Sequence, residues 1–493
     1  MTTNHGLDQV SRPMFFQFAS NSMHFAGSLE ICSRINLFSD IHYFFWGSST
    51  SFPNSMNANN FLWPGKVTRN LRDSINISHK NIKLSSKMTK DQKWVDQELT
   101  RLVNAVKDIK FMEELISLDD ESLKPSAAIS NCLTNMLRQR TINYGEHGPI
   151  LRKALRSYLE VYSAAKYAVL QGNCDLGIIF NGRFLHERAC WDALRSEGIS
   201  TQIYEVTRDR FFLRPEGFHD RKHNQRYIQE FWEKTIDCPS GQESIAKSYY
   251  EKLRFGKNPY IAASEKSDLE YENYFVYFAN SDDEAFGFWE SWQKPLGSQI
   301  DVIRKLQELF DERKREILII RLHPNFANKS VEEKDLWNSL LDSPFSRVIG
   351  FRDKVSSYTL MEKAKGVLTF GSTMGLEAAY WKKPVAVLAD CHYDELGTAD
   401  KLQNWESVIK WIDAKHCISS NVLDQRHIAS FKKPWYMAKA GEKFIHCELQ
   451  EIGHPGWGSW EAKSFKGVSL GRPVFLTKIS RLLTKLRLSR LGH

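Results

Sequence analysis

Two short stretches carry residue types that bind phosphate. Ile317-Leu-Ile-Ile-Arg-Leu-His-Pro324 is an apolar run that ends in Arg321 and His323. Val367-Leu-Thr-Phe-Gly-Ser-Thr-Met-Gly-Leu-Glu377 is a second run that ends in Gly371, Ser372 and Thr373. Both runs have the length of a buried strand. Alternate residues of a strand share a face, so Arg321 and His323 project together while Leu322 turns away, and Pro324 ends the strand. After the strand Val367–Phe370, the small residues make a turn. Met374–Trp381 then has helical apolar spacing up to Lys382-Lys383-Pro384. A strand, a small-residue turn and a helix start bring free N–H groups and a positive dipole end to one point, which attracts anions. Two such ends in one parallel sheet form a phosphate crevice.

Each residue also has a plain structural alternative. Ser372 and Thr373 suit an ordinary helix cap, Arg321 a strand-end ion pair, and His323 a turn held by backbone. Their joint occurrence in one sheet favours phosphate binding, with His323 donating to the phosphate or acting as an acid toward the leaving group. Glu377 lies five residues after Ser372 and four after Thr373. A capping box needs a spacing of three, so Glu377 reads instead as an acceptor for ribose hydroxyls.

The elements that must position these residues alternate. From Phe275 the pattern is strand Phe275–Ala279, helix Ser298–Arg313, strand Ile317–Leu322, helix Val331–Leu341 and strand Arg347–Phe351. Helix Ser357–Ala364, strand Val367–Phe370, helix Met374–Trp381 and strand Val385–Ala389 complete it. This is the signature of a doubly wound parallel sheet. The first half opens with strand Met14–Ala19, helix Phe25–Ile35 and strand Ile41–Trp46. Helical stretches follow at Asp91–Leu118 and Pro149–Gln171, then strand Leu176–Phe180, a helix through Arg195 and strand Thr201–Val206. Helices are expected over His219–Lys234 and Gln242–Arg254, and Gly47–Lys93 reads as a long irregular insertion.

With 493 residues the chain exceeds one ordinary core, and 42% hydrophobic with 26% charged residues is a globular composition. The scattered cysteines, without CxxC, read as reduced thiols. The absence of a long apolar run or a signal h-region predicts a cytoplasmic protein. The net charge of +8 is local. Eight basic residues and no acidic one follow Glu461, which leaves 67 − 8 = 59 basic against 59 acidic residues elsewhere. A neutral body with a basic tail speaks against nucleic-acid binding. In residues 474–491 an apolar stripe (Phe475, Ile479, Leu482, Leu483, Leu486) is flanked by Lys478, Arg481, Lys485 and Arg487. That pattern fits either an anionic membrane surface or a helix closing on the first domain.

Over about Tyr274–Leu396 the sequence resembles the capsular and surface polysaccharide biosynthesis glycosyltransferases. The resemblance rests on Ser281-Asp-Asp-Glu284, Arg321-Leu-His-Pro-Asn325, Ser357-Tyr358, Phe370-Gly-Ser-Thr-Met-Gly-Leu-Glu-Ala378 and Lys383-Pro384. A patchier likeness covers Asn181-Gly-Arg183 and Glu205, and the His-Pro and Ser/Thr pairing is also similar to sialyl- and Kdo-transferases. The resemblance implies a GT-B fold: an acceptor-side Rossmann-like domain over 12–265 with an insertion at 47–93, a nucleotide-sugar-binding Rossmann-like domain over 272–440, and an extension over 441–493. It further implies a metal-independent enzyme without a cofactor, moving a sugar from a nucleotide-sugar donor to a glycan or lipid-linked acceptor. Arg321, Gly371, Ser372, Thr373, Met374, Glu377, Ser281 and Glu284 would hold the donor, with His323 and Glu205 as catalytic candidates; His24 is a further candidate for the base. Asp282-Asp283 reads as a solvated acidic loop rather than a metal site. The small number of basic side chains places a CMP-sugar ahead of a UDP- or GDP-sugar. A CDP-glycerol-type glycerophosphotransferase and a non-catalytic nucleotide-sugar-binding scaffold are the alternatives.

Overall fold

The structure is a computed structural model that describes residues 13–17, 22–34, 42–45, 91–137, 139–217, 220–235, 239–255, 271–281, 294–414, 418–451, 460–465 and 468–469. Most of the expected insertion, the acidic pair Asp282-Asp283, Glu284 and the tail helix at 474–491 lie outside these residues.

The chain builds two six-stranded sheets. The first contains β1 (Pro13–Gln17), β2 (His42–Phe45), β3 (Leu176–Phe180), β4 (Ser200–Thr207) and β5 (Arg210–Arg214), with β12 (Glu442–Lys443) at its edge. Its order is β12-β5-β4-β3-β1-β2: β2, β1, β3 and β4 run parallel, and β5 is antiparallel to β4. The first five strands thus have the 2-1-3-4-5 order of flavodoxin-like sheets, in which the winding direction reverses between β1 and β3.

The second sheet contains β6 (Tyr274–Phe278), β7 (Ile317–Arg321), β8 (Ser346–Ile349), β9 (Gly366–Thr369), β10 (Val385–Val387) and β11 (Asp400–Lys401). All pairs are parallel, in the order β11-β10-β9-β6-β7-β8. By chain rank this is the 3-2-1-4-5-6 order of dinucleotide-binding folds, with its reversal between β6 and β9. Helices on both sides bury both faces, so every residue of β6, β9 and β10 is buried. Such strands read in sequence as unbroken apolar runs. Phe278 pairs with both Arg321 and Thr369, so these residues end their strands on one rung.

Several first-half expectations are corrected. The helical stretch Asp91–Leu118 is an α-helix only over Gln92–Ala105, followed by a 3-10 turn at Met112–Leu118. Between them Phe111 bridges Thr141, and a backbone bond from Ile142 to Lys110 (2.7 Å) holds the chain extended. The next long helix starts at Tyr144, not Pro149, because the Asn143 side chain caps Gly145 N and its own N–H donates to His147 Nδ1 at 3.0 Å. Helix Pro125–Leu137 was not anticipated; with Gln92–Ala105, Tyr144–Gly172 and Leu185–Ser196 it forms one apolar core over the first sheet. The hairpin to β5 turns on Arg208-Asp209, with Arg208 at φ 51°.

After β11 the chain forms helices Trp405–Ala414, Ser420–Ala429 and Lys432–Lys439, returns to the first sheet as β12, and adds a small antiparallel sheet of β13 (Cys447–Glu451), β14 (Trp460–Phe465) and β15 (Val468–Ser469). Among the described residues no helix is long and apolar enough to cross a membrane.

Candidate active site

The reversal between β6 and β9 coincides with the Gly371–Thr373 turn. Thr369, the last residue of β9, donates its hydroxyl to Phe278 O at 3.0 Å and accepts from Gly371 N (3.2 Å) and Ser372 N (2.8 Å). One side chain thus fastens the turn to both strands. Gly371 has φ 118°, and a Cβ there would meet the Cys391 side chain at 2.8 Å, so only glycine suits the position. Ser372 caps the helix Thr373–Tyr380, its Oγ accepting from Met374 N at 3.4 Å. Thr373 is exposed at the helix start, and Met374 is half-buried beside it. Glu377, one turn on, is buried; its carboxylate accepts from the Tyr358 hydroxyl and from the Thr373 side chain. Burial pushes its pKa up to about 7, although these bonds and the charge of Lys433 pull it the other way.

On the β6 side, Gln299 is fully buried and clamps the backbone of Asn280: Asn280 N donates to its Oε1 at 3.0 Å, and its Nε2 donates to Asn280 O at 3.1 Å. The turn that carries Ser281, itself buried, is thereby fixed next to the glycine turn. Sequence reasoning passed over Gln299, since a glutamine at the first position of an amphipathic helix looks like a solvated one.

On the β7 side, Arg321 is buried and donates to the carbonyls of Gly350 and, at 3.1 Å, Asp353. It secures the loop after β8, and burial lowers its pKa. His323 Nδ1 accepts from Asn325 N at 3.1 Å and caps the 3-10 turn Pro324–Asn328. In the neutral ring this places the proton on Nε2. Lys382 pairs with Asp424 at 2.6 Å, and Lys383 donates to the Glu362 and Ala364 carbonyls, so both are engaged at the far end of the helix.

A third wall, the loop Asp390–Glu395, went unrecognised in the sequence. Cys391 abuts Gly371, and Tyr393 donates to Ser372 O at 2.6 Å. His392 lies between them, and the charge of Lys433 (8% exposed) acts on both His392 and Glu377. Lys433 therefore brings an ammonium group near Glu377 and His392. The signal was a polar–aromatic segment directly after an apolar strand, where α/β ligand loops occur. The loop is held from helix Arg221–Lys234: Gln225 Nε2 donates to Cys391 O (3.0 Å), and Arg221 pairs with Asp394 (2.8 Å) and Asp390 (3.2 Å).

The first sheet has its own winding reversal, between β1 and β3. Asn181, directly after β3, has φ 57° and is 5% exposed; its Nδ2 donates to Glu205 Oε2. Glu205 also accepts from Val206 N at 3.1 Å, and burial raises its pKa. The His24 ring stacks on Phe180 at 3.7 Å, and burial pushes its pKa down to about 3, so the ring is neutral. The structure thus groups Glu205, His24 and Asn181 on the first sheet, and Ser281, Gly371, Ser372, Thr373, Met374 and Glu377 on the second. Arg321 and His323 shape the neighbouring strand end.

The sequence profile of the capsule polysaccharide biosynthesis protein family matches residues 291–427, which overlap the stretch on which the resemblance rests. No curated protein matches the chain. Among solved structures, S. aureus MnaA in its UDP co-structure is similar at 10% identity, with 87% of this chain and 94% of that chain covered and a TM-score of 0.29. The β-Kdo 2,4 transferase KpsC of Thermosulfurimonas dismutans is similar at 13% identity, with 53% and 79% covered and a TM-score of 0.34. A glycosyltransferase from Rickettsia africae is similar at 10% identity, with 86% and 93% covered and a TM-score of 0.29. These likenesses are loose, and the fold assignment stands on the strand orders of the chain itself.

Proposed function

We propose, from the match of residues 291–427 to capsule polysaccharide biosynthesis proteins, that this chain is a glycosyltransferase acting on a nucleotide-sugar donor and a surface-glycan or lipid-linked acceptor. One observation carries the reading: the Gly371–Thr373 turn, tied by Thr369 to β6 and β9, sits at the winding reversal of a sheet with dinucleotide-fold order. In such sheets ligands bind at that point.

The donor phosphate would lie against the turn and the start of helix Thr373–Tyr380. There the helix dipole, Lys433 and the Nε2–H of His323 would meet the charge that develops as the nucleotide leaves, without a metal ion. With Arg321, Lys382 and Lys383 engaged elsewhere, the basic side chains for a second phosphate are few among the described residues, which supports a CMP-sugar ahead of a UDP- or GDP-sugar. The acceptor hydroxyl would approach from the first sheet. Calorimetric titration with CMP, UDP and GDP tests this: CMP should bind most tightly. Tight UDP or GDP binding without CMP binding would overturn the donor assignment, and no binding of any of them would overturn the enzyme reading.

A further inference from the structure

The bodies of the two sheets touch on either side of the Gly371 turn. On one side, Phe212 of β5 shares an apolar core with Leu376, Cys391 and Val387 of β10. On the other, Arg140, which precedes helix Tyr144–Gly172, reaches helix Val331–Asn338, the helix after β7. There its Nε lies 3.2 Å from Glu333 Oε1. In the strand order β10-β9-β6-β7 these two contacts flank the β6–β9 reversal. His147 approaches the same helix, within electrostatic reach of Glu332.

The Arg140–Glu333 pair is more than a surface ion pair. The two side chains are only 14% and 10% exposed, so the attraction is little screened by water. Both partners are held from behind. The Arg140 carbonyl accepts from Met112 N at 2.9 Å, and the next residue, Thr141, bridges Phe111. Glu333 Oε1 also accepts from Trp337 Nε1 at 3.0 Å, and the Trp337 ring, 1% exposed, stacks on Phe326 at 4.3 Å. Phe326 lies in the 3-10 turn that His323 caps, and its N–H donates to His323 O at 3.0 Å. An unbroken run of contacts thus leads from Arg140 through Glu333, Trp337 and Phe326 to His323. Close-packed side chains transmit a displacement along such a run. We propose that Arg140 is a positioning residue for His323: the first-sheet side of the chain grips helix Val331–Asn338 and thereby sets the His323 turn on the second. That this serves the leaving group rests on the glycosyltransferase reading; it would make the donor to the developing charge depend on closure of the two bodies around the Gly371 turn.

Hydrogen exchange of the full chain, read by mass spectrometry without nucleotide, tests it. The Asn325 and Phe326 amides report the turn directly, because they donate to His323 Nδ1 and His323 O. Arg140→Met should speed exchange over residues 325–329 by about three-fold or more, while β6 keeps its wild-type protection. Arg140→Lys, which retains a cation, should recover most of the protection. The double variant Arg140→Met/Glu333→Gln strands no buried charge and keeps an acceptor for Trp337, so it should exchange as fast as Arg140→Met. Unchanged exchange in Arg140→Met, no recovery in Arg140→Lys, or equal acceleration in β6 would overturn the proposal. A return to wild-type protection in the double variant would also overturn it, by tracing the loosening to a stranded carboxylate instead of the lost grip. None of these readings involves nucleotide, so failure here is separate from failure of the CMP, UDP and GDP titration, which bears on the glycosyltransferase reading alone.

Discussion

Tyr358 donates its hydroxyl proton to Glu377, joining helix Ser357–Lys363 to the helix that starts at the glycine turn. The carboxyl is consequently placed by two helices at once, and its Thr373 bond ties it back to the first residue of its own helix. Its titration should be visible in stability. The folded pKa of about 7 lies above the ordinary 4.5, so the folded state holds a proton that the unfolded state releases across that window. The contribution is full below about 4.5 and is lost as pH rises toward 7, up to about 3 kcal/mol. Denaturant unfolding of wild type and Glu377→Gln between these pH values should show the wild type falling relative to the variant; parallel curves would refute the shift.

Gly375 and Tyr393 should behave as a coupled pair. A Cβ at Gly375 would stand 2.2 Å from the Tyr393 hydroxyl oxygen, so Gly375→Ala should destabilise by about 1–3 kcal/mol. Tyr393→Phe removes that oxygen along with its bond to Ser372 O. The double variant should be less destabilised than the sum of the single ones, and strict additivity in a double-mutant cycle would contradict the contact.

Turnover should depend on the strand-end residues. His323→Ala, or Ser372→Ala combined with Thr373→Ala, should lower kcat tens-fold or more, as expected for the loss of a donor to the developing charge. Steady-state kinetics on proteins of unchanged Tm is the measurement, and unchanged kcat would make these residues structural only.

Arg221 should matter for stability far from the turn it supports. Its side chain is 2% exposed and meets Asp390 and Asp394, which are 7% and 0% exposed, so Arg221→Met leaves buried carboxylates with Lys401 as their cation. A loss of about 3–5 kcal/mol is expected, read as a lower denaturation midpoint at unchanged slope. A loss below about 1 kcal/mol would place the network at the level of a surface pair.

Chelation provides a separate check on the proposed chemistry. If helix dipole, Lys433 and His323 meet the leaving charge, turnover should be the same after dialysis against EDTA, and restoration by added Mg²⁺ or Mn²⁺ of a lost activity would contradict it.

The second sheet was readable in sequence because its strands are buried on both faces. Ile317–Arg321 and Gly366–Thr369 stand out as apolar runs, and their polar ends mark the carboxyl edge. What escaped was contact across long sequence separations. Nothing local to Asp390–Glu395 shows that Gln225, 166 residues from Cys391, grips it. The Arg208-Asp209 hairpin lacks the glycine or asparagine that announces such turns, so β5 was missed. Tyr358 belonged to a matching motif without a role, because its partner Glu377 is apparent only when two helices are packed.

The return of the chain to the first sheet as β12 has a mechanical meaning. The chain leaves that sheet after β5, builds the second sheet, and re-enters beside β5, where Glu442 pairs with Phe211. Two bodies joined by a single strand tumble as beads on a string, whereas two joined by a pair of strands rotate about the line between the crossings. The Gly441 position, at φ 72° with Phe211 O 2.6 Å from any added Cβ, admits only glycine, so a side chain there would strain the second crossing at the point where the chain rejoins β5.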